Sequence, residues 1–206
     1  MKVLLFNGSS HKTGCTYTAL CEVAKILNDE GIETEILQLG SAPVQECVAC
    51  GGCASGRGCV IQDIVTEWQE KCRHADGFVF GAPVYYAHPA GAMLAAMDRL
   101  FYSANGIFNH KVGAVVTSAR RAGTTASLDA MMKHLTISGM VVPGSSYWNR
   151  VHGSKAEDVA QDAEGLQTMR NLGRNMAWLL KLIELGKQNG LPAPETERGS
   201  RTNFIR

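Results

Sequence analysis

Residues 2–18, KVLLFNGSSHKTGCTYT, pass from an unbroken apolar run into a turn of small and hydroxyl residues and then into a helical pattern. KVLLFN (2–7) has the length and composition of a strand buried on both faces. The helix that follows is predicted over about 15–30, because Leu20, Val23, Ala24 and Leu27 recur at helical spacing; Gly31 ends it as a C-terminal cap. A strand that runs through such a turn straight into a helix is the opening unit of a parallel α/β sheet.

The same alternation continues outward. TEILQL (34–39) reads as the second strand and a cysteine-rich loop follows it. A helix over about 63–74 returns to the strand GFVFGAP (77–83). Next come a helix over 90–103, the strand VGAVVTSA (112–119), a helix over 124–137 and a last strand near MVVPG (140–144). A single final helix is predicted over 155–187, with Val159, Leu166, Met169, Leu172, Met176, Leu179, Leu180 and Ile183 on one side. Five strands and five helices in this order fit a flavodoxin-like doubly wound five-stranded parallel sheet of strand order 2-1-3-4-5. Residues 1–189 make one domain, and 190–206, with two prolines and mixed charges, read as an extended arm over the surface or a partner subunit. Trp178 and Leu182 widen the apolar stripe of the last helix beyond what one sheet face requires, which predicts a homodimer or a dimer of dimers.

At 206 residues the chain suffices for one well-buried α/β domain and is too short for two ordinary ones. A net charge of +1 gives no electrostatic reason to expect nucleic acid or an anionic membrane, so small molecules are the expected partners. The apolar stretches are interrupted well before a membrane-spanning length and the chain's start carries no signal peptide, so the expected location is the cytoplasm.

In an open sheet of this kind ligands bind beyond the carboxyl ends of the strands. After the first strand, NGSSHKTGCTYT (7–18) offers backbone amides at a helix start together with the hydroxyls of Ser9, Ser10 and Thr16, a cradle suited to a monophosphate. It has neither the G-x-x-x-x-G-K-[ST] order of a nucleoside triphosphatase nor the G-x-G-x-x-G of a dinucleotide site. The blander reading is an ordinary helix capped by a serine or threonine. After the third strand, GAPVYYAHPAG (81–91) puts Tyr85, Tyr86 and His88 at the sheet edge, where aromatic rings suit a flat conjugated ligand. After the fourth, TSARRAGTT (117–125) carries hydroxyl, guanidinium and backbone donors for the polar edge of a heterocycle or for nucleotide phosphates, or is simply a solvated basic loop. No Ser-His-Asp order, metal-hydrolase motif or paired carboxylates argue for hydrolysis.

The segment CVACGGCASGRGC places Cys47, Cys50, Cys53 and Cys59 within thirteen residues. Its C-x2-C-x2-C run suits one face of an iron-sulfur cubane, and its glycines let the backbone bring the fourth thiol round. A structural zinc site usually pairs two separated C-x2-C knuckles, and no second knuckle exists here. A disulfide is disfavoured where thiols stay reduced, and a thioredoxin-like pair leaves two thiols unexplained. Structural cysteines without metal remain the open alternative. Cys21 and Cys72 fall at apolar helical positions, where cysteine is usually a small buried hydrophobe.

The order GSS-x3-G-x-T in the first loop, the four-cysteine segment, APVYY after the third strand and the Asp98-Arg99 pair together resemble the NAD(P)H-dependent FMN reductase superfamily, and more narrowly its iron-sulfur flavoproteins, over residues 1–145. The resemblance implies a flavodoxin-like fold, bound FMN, NAD(P)H as co-substrate and subunits paired near the flavin. By it, Ser9, Ser10, His11, Gly14, Cys15 and Thr16 hold the FMN phosphate; Pro83, Val84, Tyr85 and Tyr86 line the isoalloxazine; and Ser118, Ala119, Arg120 and Gly123 close its other edge. The family often carries proline and then arginine where this chain has Ser10 and His11. Cys47, Cys50, Cys53 and Cys59 supply the ligand count of a 4Fe-4S cluster. The implied function is electron transfer from NAD(P)H or a reduced carrier to flavin, quinone-like or protein acceptors; a non-catalytic flavin and iron-sulfur carrier served by ferredoxin-like partners is the alternative.

Overall fold

The computed structural model describes residues 1–200 and 202–204. Its elements run β1 (Lys2–Asn7), α1 (Cys15–Asp29), β2 (Glu33–Gln38), α2 (Ile64–Arg73), β3 (Gly77–Tyr85), β4 (His88–Pro89), α3 (Gly91–Tyr102), β5 (Val112–Ala119), α4 (Thr124–Ile137), β6 (Arg150–His152), α5 (Ala156–Val159) and α6 (Ala163–Gln188). Five of the strands pair in parallel in the order β2-β1-β3-β5-β6, and β4 folds back antiparallel on β3. Skipping that hairpin strand, this is the expected 2-1-3-4-5 order of a flavodoxin-like sheet.

Strand alternation separates the core into two chemistries, because successive side chains point to opposite faces. Leu4, Phe6, Phe78 and Phe80 pack with Trp68 of α2 and with Met93, Met97 and Leu100 of α3 on one face. Phe6 stacks on Phe80 with centroids 4.6 Å apart and meets Trp68 edge-on at 4.8 Å. The opposite face is aliphatic: Val3, Leu5, Val79 and Val116 lie under α1 and α6. Cys72 is fully buried in the aromatic face, and burial pushes its thiol up to about 12.

Two boundaries differ from the expectation. The edge strand placed near 140–144 makes a single bridge, Val141 to Val112, in which Val141 N–H donates to Lys111 O (3.0 Å) and Gly113 N–H to Val141 O (2.9 Å). The next residue facing the ladder is Pro143, which has no amide to donate, so the chain leaves and returns seven residues later as β6. The single helix expected over 155–187 is two, α5 and α6. Asp162 divides them: its Oδ1 caps α6 by accepting from Gly165 N–H (2.9 Å), and its Oδ2 accepts from His152 N–H (2.7 Å), tying the helix start to β6. Among its described residues the arm beyond Gly190 has no helix or strand, and Thr196 bonds to His110 and Arg198 to Asn109 at the base of β5; its residues 201, 205 and 206 lie outside the described residues.

Replacing Phe80 by alanine removes a ring stacked on both Phe6 and Phe78 and is expected to cost about 3–5 kcal/mol, read from the midpoint of chemical denaturation.

Candidate functional site

Gly8 N–H donates to Gly81 O at 2.8 Å, joining the turn after β1 to β3. A Cβ on Gly8 would lie 2.8 Å from that oxygen and 2.7 Å from Met93 Cγ, so only glycine permits the approach. The turn is then held from within. Asn7 is fully buried; its Oδ1 accepts from Ser9 N–H (3.2 Å) and its Nδ2 donates to Gln38 Oε1 (2.5 Å), while Gln38 Nε2 donates to Ser9 O (2.6 Å). Ser9 Oγ accepts from His11 N–H (3.1 Å). Helix α1 starts after Gly14 with no side-chain cap, so its first-turn amides are free of the serine or threonine that would otherwise occupy them. Burial pushes the Cys15 thiol up, which keeps it neutral at this helix start.

Three further loops meet this one. Tyr85 pairs with His88 across a two-residue turn in which Tyr86 (φ 49°) and Ala87 (φ 62°) are both left-handed. That is the backbone twist of a primed hairpin turn, held here by residues that carry a Cβ, at a cost on the order of 1–3 kcal/mol each. Gly123 (φ 92°) closes against it, since a Cβ there would lie 2.5 Å from Ala87 Cα. Thr16 Oγ1 and Ser118 Oγ, both buried, share a hydrogen bond of 2.8 Å that joins the start of α1 to the end of β5. From β6, His152 Nε2–H donates to Arg121 O (3.0 Å) and its Nδ1 accepts from Arg150 (2.9 Å), so the loop after β5 is tied to the edge strand.

These loops enclose a cavity of about 650 Å³ at the carboxyl edge of the sheet. Of the residues expected there, Ser9, His11, Gly14, Cys15, Thr16, Pro83, Val84, Tyr85, Ser118, Ala119 and Arg120 line it. Ser10, Tyr86 and Gly123 do not: Ser10 faces solvent, Tyr86 stands fully exposed at the tip of the left-handed turn, and Gly123 packs behind the wall. Thr13 and the segment 153–157 also line the cavity and were not anticipated. That segment follows β6, so placing the edge strand at 150–152 instead of 140–144 would have brought Gly153, Ser154 and Lys155 to the ligand edge.

The four clustered cysteines lie apart from that cavity, beside the C-terminal half of α3. The loop has one turn of 3-10 helix, Gly52–Ser55, flanked by left-handed Gly51 and Gly56. Cys47 and Cys50 are exposed, Cys53 and Cys59 half-buried, and all four line one small cavity with Arg99, Tyr102 and Ser103. Arg99 anchors this loop. Only 1% of its side chain is exposed. Nη1 donates to Asp63 Oδ2 (2.6 Å) and Gln45 O (3.2 Å), and Nη2 to Asp63 Oδ1 (2.9 Å) and Ile61 O (2.9 Å), so a bidentate ion pair also gathers both flanks of the loop. Burial works to raise the Asp63 pKa, but the guanidinium and the Val65 and Thr66 amides outweigh it and hold the carboxyl below its ordinary range. Among the described residues no three His, Cys, Asp or Glu side chains are gathered closely enough to hold a metal ion as they stand. In kind and number the thiols fit an iron-sulfur centre, and one observation beyond the donor set favours it: Arg99 Nε is buried without a partner beside the cavity they share.

The profile described as NADPH-dependent FMN reductase matches residues 1–155. An iron-sulfur flavoprotein of Methanocaldococcus jannaschii is 31% identical over 192 residues, covering 89% of this chain and all of the relative. One from Methanosarcina thermophila is 29% identical over 189 residues, covering 89% and 97%. Among solved structures, RosB with a bound formylriboflavin phosphate intermediate superposes with a TM-score of 0.72 at 16% identity, over 100% of this chain and 92% of that one. An NADH:FMN oxidoreductase does so at 0.62 and 14%, over 86% and 88%. At these identities the structural likeness speaks for the fold.

Because Asp63 titrates lower folded than unfolded, its contribution is whole above about pH 4, the ordinary aspartate value, and is lost as pH falls through the depressed value. Asp63→Asn is expected to cost about 1–3 kcal/mol at pH 7 by leaving the buried guanidinium short of acceptors. The difference in thermal midpoint between variant and wild type should shrink as the pH is taken below 4, and tryptic cleavage after Arg57 should be faster in the variant at neutral pH.

Proposed function

The chain belongs to the NADPH-dependent FMN reductase family, and from that premise we propose that it is a flavin oxidoreductase binding FMN in the 650 Å³ cavity and passing electrons from NAD(P)H or a reduced carrier to quinone-like or protein acceptors. The observation that carries this reading is the convergence, in one cavity, of a helix start that no side chain caps, an aromatic residue on a rigid hairpin and the donors after β5. The α1 amides, with the Ser9 and Thr16 hydroxyls, bind the phosphate. Tyr85 covers the ring, and the backbone of Ala119 and Arg120 donates to its polar edge, while Ser118 Oγ donates to Thr16 Oγ1 and leaves the Thr16 proton for the phosphate. Bound flavin supplies the chemistry itself, accepting a hydride and releasing electrons singly or in pairs.

The same reading gives Cys47, Cys50, Cys53 and Cys59 a 4Fe-4S centre, supported by the cavity they share with Arg99 and by the iron-sulfur flavoprotein relatives. It also pairs the chain with a second copy, supported by Trp178, Leu182 and Leu185, which stand 62%, 43% and 56% exposed along α6. No helix among the described residues is long and apolar enough to cross a membrane.

Purified protein is expected to be yellow, with one FMN per chain, and Thr16→Leu to lower FMN content to about a tenth or less by deleting a donor and crowding the helix start. Protein that takes up no flavin from excess FMN would sink the assignment. Anaerobic reconstitution should give close to four irons and four sulfides per chain; serine at any of the four cysteines should lower iron while leaving FMN bound. Steady-state NAD(P)H oxidation with a quinone acceptor separates the enzyme from the carrier, which would not turn over. Light scattering should report a dimer or tetramer at micromolar concentration.

A further inference from the structure

Arg99 has five N–H groups, and two of its nitrogens account for every bond described above. The third, Nε, is buried and has no acceptor. An unsatisfied donor on a buried cation is costly, and such groups normally find a partner. The cavity that Arg99 lines contains the four cysteine sulfurs, and Cys59 is the sulfur that bears on the guanidinium's charge. Its two Nη atoms are committed to Asp63 and the loop carbonyls. The side chain cannot rotate to turn Nε elsewhere without breaking the bidentate pair, so the donor is fixed in position before anything binds.

We propose that Arg99 is a positioning residue for the cysteine-held centre: its Asp63 clamp sets the loop in register, and its Nε–H donates to a sulfur of that centre, the Cys59 thiolate or a sulfide beside it. The inference rests on the iron-sulfur reading of the loop. A charge-assisted hydrogen bond to sulfur stabilises the more negative, reduced state over the oxidised one, so Arg99 raises the reduction potential of the centre. An arginine serving only as a structural anchor would leave that potential unchanged once the loop had assembled.

Arg99→Lys is the discriminating change, because lysine keeps the charge and the reach to Asp63 and puts a methylene where Nε–H stands. Wild-type and variant protein, reconstituted anaerobically, are titrated redox-potentiometrically with EPR detection of the reduced centre, with FMN content as the check that the fold is intact. The expected result is wild-type FMN content and a lower midpoint, such that at one fixed potential the reduced-to-oxidised ratio falls about tenfold, the weight of one hydrogen bond to a charged group. An unchanged midpoint overturns the role of Arg99 and leaves the cluster standing. Wild-type protein that takes up no iron removes the cluster, and this inference with it.

A second measurement needs no change at Arg99. In protein labelled with 15N-arginine and carrying Arg57→Lys to clear the other loop arginine, pulsed EPR of the reduced centre should show a 15N coupling. Its absence would overturn the inference even if Arg99→Lys failed to fold.

Discussion

The contact between Gly8 N–H and Gly81 O fixes the working edge of the sheet. The pairing of β1 with β3 ends there with no space for a side chain between the strands, so the loop after β1 departs at that point while β3 runs on beside β5 to Pro83. Everything in the large cavity is referred to it. The first loop is pinned by Asn7 and Gln38 just below, the hairpin rises from β3 just above, and Thr16 reaches across to Ser118 on β5. A site assembled this way is rigid in its floor, and its tuning lies in what the loops present.

The cysteine loop is built on the opposite principle. It has little internal backbone bonding beyond one 3-10 turn, and its order comes from a single cation on α3 that holds residues from both flanks. The cavity therefore draws its geometry from many weak and redundant contacts, whereas the loop draws its geometry from one strong one. Damage at a single residue should be local and severe in the loop and diffuse around the cavity.

The central strands were legible because a strand buried on both faces is apolar along its whole length and needs no partner to be recognised. The edge strand was not: three residues carry no period, and Pro143 interrupts the one run that looked like a strand. The break at Asp162 depends on an amide from His152, a tertiary partner invisible to helical spacing. At the sheet edge the three loops singled out in the sequence meet around one cavity, while individual side chains within them stand differently. Tyr86 looked equivalent to Tyr85, but a left-handed turn points one ring along the cavity wall and the other into solvent. Arg99 stood in the sequence as half of a motif; nothing in its neighbours signalled that its charge is spent on a loop some forty to fifty positions earlier.

That separation bears on the order of assembly. Contacts between residues thirty-six to fifty-four positions apart close large loops and so form after the local helices they join. The cysteines gain their neighbours only once α3 has docked on the aromatic face of the sheet. In the extended chain the four thiols share no cavity; in the folded domain they line one together. The cavity that the four thiols share is thus a product of folding, and the loop has no such cavity before Arg99 closes it.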